Sequence, residues 1–317
     1  HCKETEMRRH GPSSPTSDRA PSSSSNANNN SNLAANRNLL AGEYISLFNA
    51  AFGHVTCGLV FILCMSQCGI FDVVQTDTDL SRYAERHSLA WLPTWLPMPL
   101  NTAVNFGYSF CGIYWLLRVK RLFLTGSLSR DAAYLFSVFA VMATAYGPVQ
   151  LARIVRMSHN LAVVDQWVTL PFFAWVPIWV ISTVTGHLSA GPILITMVAS
   201  LLSYLLAVVT DVGFELALTL HVSAAMGSGI FLCLYPELSS ATGLIKNVAL
   251  AALSCVGFVG LKLLDHKLAN LCPAVFRIVS GHFLSKLADV MQIHYVCRAF
   301  ECVALIAAGN DDGRKLA

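Results

Sequence analysis

The stretch Gly281 to Asp289 carries the densest run of reactive side chains in an otherwise apolar chain: His282, Ser285, Lys286 and Asp289. On a helix these four fall within about a third of the circumference, whereas His294 points elsewhere. Polar groups at membrane depth are costly, so they mark either helix docking or a working cavity. Lys286 and Asp289 stand three apart and are expected to neutralise each other, either as a docking ion pair or as one wall of a polar cavity.

Asn101, Asn105, Tyr108 and Gly112 share a second helical face. It suits a packing seam of small and amide side chains, or the lining of the same cavity. Gln150 closes the segment Tyr146-Gly147-Pro148-Val149-Gln150, where the Gly-Pro pair predicts a kink whose freed carbonyls need partners. Arg153 and Arg156 beyond it are expected to mark the membrane surface. Asp165 opens a helical segment, where an acidic group in the first turn suits the helix dipole as well as a site. Glu215 and His221 lie on different faces of one segment, and His221 reads as a packed donor.

The candidate polar cavity is therefore Asn101, Asn105, Gln150, Asp165, His282, Ser285, Lys286 and Asp289. No residue is assigned to catalysis, and no metal or cofactor is expected. GxGxxG, P-loop, GxSxG and HExxH patterns are all absent, and no two histidines stand four apart to begin a helix-borne zinc site.

Composition identifies the elements that must position these groups. Of 317 residues, 21 are Lys or Arg and 18 are Asp or Glu, or 12% charged, while 55% are hydrophobic. Soluble domains carry about 25% charge. Such a chain is excluded as a soluble enzyme, a disordered regulator or a nucleic-acid binder. Its net charge of +3 implies no anionic partner. Its partner is the lipid bilayer, with a bound lipid as a further candidate. The membrane, whether plasma membrane or endomembrane, is left open. Most of the ten cysteines sit in apolar runs as small hydrophobes, with no CxxC pair.

Spanning the hydrocarbon core takes about 20 apolar residues. Charge-free runs place span one at Tyr44–Phe71, span two from Pro97 to Leu117 and span three at Ala132–Ala152. Gln166–Thr210 is 45 residues without a charge, so it must break, and Thr185-Gly186-His187-Leu188-Ser189-Ala190-Gly191-Pro192 divides it into spans four and five. Leu216–Pro236, Leu244–Leu264 and Ile278–Cys297 complete eight. Residues 1–43 form a Ser/Asn-rich tail expected to be disordered, residues 44–305 the transmembrane domain, and residues 306–317 a short polar tail. The chain opens on His1, so the natural start is expected further upstream. Arg118, Lys120, Arg121 and Arg130 put the loop between spans two and three in the cytoplasm, although Lys262, Lys267 and Arg277 near the last loop pull the other way.

Several stretches resemble the transmembrane protein 187 family: Gly69-Ile70-Phe71-Asp72, Tyr83-Ala84-Glu85, Tyr146-Gly147-Pro148-Val149-Gln150 and Asp165-Gln166-Trp167. Asp265-His266, Gly281-His282-Phe283, Ser285-Lys286 and Asp289-Val290 continue the likeness, which covers about residues 44–300. That family consists of multi-pass proteins without an established activity. Spans two to eight also bear a more distant resemblance to the seven-helix core of alkaline ceramidases and adiponectin receptors. Asn101-Thr102 with Asn105, Asp165 before Leu170-Pro171, and His282 match its motifs. The resemblance implies an all-α polytopic bundle, with one extra N-terminal helix before a ceramidase-like core.

In those relatives three histidines hold a zinc that activates water against a lipid amide. Here Lys286 replaces the second histidine of the last helix, Gly147–Arg153 lacks Ser and His, and no acidic residue immediately precedes Asn101. The resemblance thus implies a non-catalytic relative with a degenerate metal site, whose polar cavity either binds a lipid or merely stabilises the bundle. The alternative is an intramembrane lipid hydrolase rebuilt around Asp165, His282 and His221.

Overall fold

The computed structural model describes residues 24–85, 97–239 and 241–315. The first part of the Ser/Asn-rich tail and residues 86–96, which lead into span two, lie outside them. The described residues form helices and turns. Helix α1 covers Ser24–Met65, α2 Pro99–Ala103, α3 Asn105–Leu124, α4 Arg130–Arg156, α5 His159–Thr185 and α6 Ala190–Ser203. Then come α7 Leu206–Val209, α8 Gly213–Leu234, α9 Leu244–Leu263, α10 Asp265–Leu271, α11 Pro273–Phe276 and α12 Gly281–Lys315.

Among the described residues six helical stretches are long and apolar enough to cross a membrane: Asn38–Met65, Arg130–Arg156, His159–Thr185, Ala190–Val209, Gly213–Leu234 and Leu244–Leu263. The other two expected spans coincide with α3 and α12, which are long enough but carry the charges that their polar contacts use. The long charge-free run breaks at Gly186, whose φ of +75° ends α5. Helix α1 begins twenty residues before Tyr44, inside the stretch read as a tail. Once a spanning helix exists, each added residue gains a hydrogen bond without a new nucleation cost. Helix α12 likewise runs on to Lys315, past residue 305.

Short turns make successive long helices antiparallel, so the connections 66–85, 157–158, 210–212 and 264–280 gather at one end of the bundle. Helices α4 and α5 are its centre, with 67% and 61% of their apolar windows buried, against 11% for α8. Their aromatic side chains lock neighbours together: Trp179 stacks on Phe300 of α12 at 3.8 Å, and the Trp175 indole donates to the Leu135 carbonyl at 3.0 Å.

Helices α3 and α4 approach closely because Gly112 and Gly147 leave room. A Cβ on Gly112 would run into Thr144 Oγ1 and meet the Ala140 carbonyl at 2.5 Å, and one on Gly147 would meet the Asn105 carbonyl at 2.6 Å. Pro148 has no N–H for the Thr144 carbonyl, and the Ser109 hydroxyl of α3 supplies the missing donor at 3.0 Å. The Gly-Pro pair therefore builds a helix contact: the glycine lets α3 come near enough to serve the carbonyl the proline frees.

Candidate functional site

All eight residues expected to line a polar cavity are buried, each less than 10% exposed. They lie near the connection-rich end of the bundle, where α2, α3, α4, α5 and α12 meet.

The first turns of α12 are fixed by two caps. Ser280 accepts from the Phe283 amide at 3.0 Å, and Asp265 accepts from the His282 amide at 3.1 Å. These bonds satisfy donors that a helix start leaves open. The other Asp265 oxygen accepts from the Ala84 amide at 2.9 Å, which pins the connection after α1 across the bundle end. Beside it, Tyr83 stands edge-on to the His282 ring at 4.8 Å. Glu85 accepts from the Leu100 amide at 2.7 Å and the Asn101 amide at 3.1 Å. Its carboxylate caps α2, for which Met98 provides no side-chain cap. Burial pushes the Glu85 carboxyl up to about 7, against the two amide donors and nearby Lys286, which pull it down.

The expected ion pair between Lys286 and Asp289 is not formed. Lys286 Nζ donates to Asn105 Oδ1 at 3.0 Å, and Asp289 Oδ2 accepts from the Tyr108 hydroxyl at 2.8 Å. Both pairs have i, i+3 spacing, so α3 and α12 meet as two rungs of a ladder. Each charged group finds better geometry across the interface than along its own helix, where two side chains must bend towards one another. Asn101, Asn105, Tyr108 and Gly112 do share one buried face, although the helix breaks at Val104 between α2 and α3.

The surface role expected for Arg153 and the first-turn role expected for Asp165 both fail. Helix α5 starts at His159, so Asp165 lies nearly two turns inside it. There Asp165 pairs with Arg153 at 3.2 Å, both side chains 11% exposed. Gln150 also donates to Asp165 and, at 2.6 Å, to the Tyr146 hydroxyl, which pairs with Thr169 at 3.1 Å. Tyr146 packs edge-on against Tyr108 at 4.9 Å. The belt is thus continuous, from Arg153 through Asp165, Gln150, Tyr146 and Tyr108 to Asp289. Ser285 donates to the His282 carbonyl within its own helix at 2.8 Å. His221 stands apart, one ring nitrogen on the Ala217 carbonyl at 2.7 Å and the other on Ser200 at 3.0 Å.

Composition alone undervalued Glu85, Asp265 and Tyr83. They lie in connections, where a charge looks solvated. The available signal was their place in the short motifs Tyr83-Ala84-Glu85 and Asp265-His266.

Among the described residues no three His, Cys, Asp or Glu side chains come together as a metal donor set. His282 Nε2 is buried and unpartnered, but one turn on stands the Lys286 ammonium, and the ring faces Tyr83. A zinc site needs three anionic or neutral donors around one point, and these residues do not fit it.

Below the belt lie two apolar chambers that share Tyr146 and Phe172 as wall. One, of about 100 Å³, lies between α4, α5, α8, α9 and α12 and ends on Tyr146, Thr169, Asp289 and Gln292. The other, of about 350 Å³, lies between α1, α4, α5 and α6.

The family model described as the TMEM187 protein family matches residues 51–301. A Bos taurus protein named transmembrane protein 187 is 42% identical over 248 residues, covering 77% of this chain and 93% of that protein. A Homo sapiens protein of the same name is 42% identical over 228 residues, covering 72% and 82% respectively. No solved structure matches the chain.

Proposed function

The chain belongs to the TMEM187 protein family, a multi-pass membrane protein by its composition and helices, and we propose that it is a non-catalytic lipid-binding protein. The observation that carries this is the smaller chamber. Its wall is apolar almost throughout, with small residues Ala225, Gly229, Ala251 and Ala252 on the side of α8 and α9. Its polar lining is Tyr146, Thr169 and Asp289, which belong to the buried belt, together with Gln292. An apolar cavity with a few convergent polar groups is the usual form of a small-ligand site, and in a bilayer the abundant ligand with an apolar body and a polar end is a lipid. In this proposal the likeness to ceramidases extends to the helical core and stops short of its chemistry, because Lys286 stands where a metal ligand would be needed.

Lipid extraction of the full chain purified in mild detergent tests the proposal, with Ala252→Phe as the blocking variant. A cavity of about 150 Å³ takes up benzene, so one phenyl group fills most of this chamber. Wild type is expected to retain a defined lipid that Ala252→Phe loses, while Leu253→Phe, on the exposed face one residue along, keeps it. Equal retention by all three proteins would overturn lipid binding in the chamber. Near-stoichiometric zinc, lost on His282→Ala, would overturn the non-catalytic part.

A further inference from the structure

The polar end of the smaller chamber restricts what can enter it. We infer that its ligand is a single-chain lipid with a neutral hydroxyl head, rather than a fatty acid or a long-chain amine; this rests on the lipid-binding proposal and specifies its ligand.

Four polar residues meet the chamber, and two are already occupied with each other. The Tyr146 hydroxyl takes the Gln150 amide proton and pairs with the Thr169 hydroxyl. The other two present acceptors. Gln292 Oε1 is buried without a partner, and the Asp289 carboxyl is held on one oxygen by the Tyr108 hydroxyl. Buried polar atoms are rarely left without partners, so an incoming group that donates a hydrogen bond to Gln292 Oε1 is favoured.

Charge then separates the possible donors. A carboxylate head would stand beside the Asp289 carboxyl and away from the nearest cations, because Arg153 reaches Asp165, Lys286 reaches Asn105, and neither lines the chamber. Like charges side by side in a low dielectric repel strongly. An ammonium head would add a buried positive charge to a belt that already holds Arg153 and Lys286, and it would lose its hydration on entry. A hydroxyl donates the needed bond and leaves the charge balance unchanged. The chamber takes in the head and its first methylenes. The rest of the chain lies against the exposed apolar faces of α8 and α9, including Ile230, Phe231, Leu253 and Val256.

Three photoreactive probes with one and the same long alkyl chain, ending in an alcohol, a carboxylic acid or an amine, test this. Each is offered to the full chain in phosphatidylcholine vesicles, and labelled peptides are mapped. The alcohol should label α8, α9 and α12 around Gly229, Ala252 and Gln292 at least five-fold more than the acid or the amine. Gln292→Leu should weaken alcohol labelling about five-fold, the worth of one hydrogen bond. The same change should leave thermal stability unchanged or raised, because the amide oxygen it removes has no partner in the fold. Equal or stronger labelling by the acid or amine overturns the hydroxyl assignment. So does full alcohol labelling in Gln292→Leu, while chamber labelling that Ala252→Phe abolishes keeps lipid binding intact. Labelling confined to outer helix faces for every probe overturns lipid binding itself, and with it this inference.

Discussion

Replacing Arg153 with Met is the sharpest test of the buried belt. Arg153 and Asp165 lie 3.2 Å apart with side chains 11% exposed, so neither charge can turn to water if its partner goes. Breaking a buried pair from one side typically costs about 3–5 kcal/mol. Spread over a bundle of this size, that is a loss of roughly 5–9 °C in thermal midpoint. Asp165→Asn should cost a similar amount: the amide keeps an acceptor for Gln150 but leaves the guanidinium unpaired. The double variant should regain much of the loss, because no unpaired charge remains. The four proteins are compared by heating in detergent and following the monodisperse peak by size-exclusion chromatography. The double-mutant cycle should show a coupling well above the 0–1 kcal/mol of an exposed pair, and the losses should change little with added salt, since screening acts poorly on buried charges. Additive losses, or an Arg153→Met protein as stable as wild type, would refute a buried pair.

Three further outcomes follow from the geometry. Gly112→Ala should destabilise markedly, since its Cβ would meet the Ala140 carbonyl at 2.5 Å, whereas Gly227→Ala on α8, with nothing within 4 Å, should be neutral or slightly stabilising; thermal midpoints in detergent decide both. The Glu85 carboxyl is raised from 4.5 to about 7, so between those values the folded chain binds more protons than the unfolded one. Stability from this group should therefore fall as pH rises through that window, and Glu85→Gln should flatten the slope of midpoint against pH. A glycosylation sequon placed within 76–79 should be modified in microsomes and one within 125–129 should not. The reverse pattern would invert the orientation taken from Arg118, Lys120, Arg121 and Arg130.

Much of the bundle was legible because membrane spans are written in absent charges. The ends of α5 and α9 follow from Gly186 and from the run at Leu244, and Ser109 under Thr144 is a partner that Pro148 demanded. The eight residues expected to line a cavity stand out as violations of apolar patterning, and the structure buries all eight. Their partners were not legible. Periodicity shows which residues share a helix face but not which helix that face meets, so Lys286 and Asp289 were paired along one helix when each reaches α3. Helix starts were equally hidden: with α5 beginning at His159, Asp165 moves from a dipole position into the core, where it needs Arg153.

The division of labour between the helices follows from their surroundings. Helices α4 and α5 bury most of their length and carry the aromatic core, whereas the apolar windows of α6 and α8 are 17% and 11% buried. Lipid already covers α6 and α8, so a chain seated beneath them displaces other lipid chains and no core packing. The chambers lie at this boundary, with Tyr146 and Phe172 as their common wall. A substitution such as Phe172→Ala would therefore join the two spaces at the cost of core packing, about 3–5 kcal/mol for a buried Phe. Ala252→Phe, on the lipid side, would close one space at little cost to the fold. If the chambers were packing defects without a ligand, filling one should stabilise the bundle in lipid and in detergent alike. If a lipid occupies it, the gain from filling should appear only in lipid-free detergent, because in native lipid the phenyl group replaces a ligand that already contributed the same contacts. The difference in thermal midpoint between wild type and Ala252→Phe, compared with and without added lipid, separates the two.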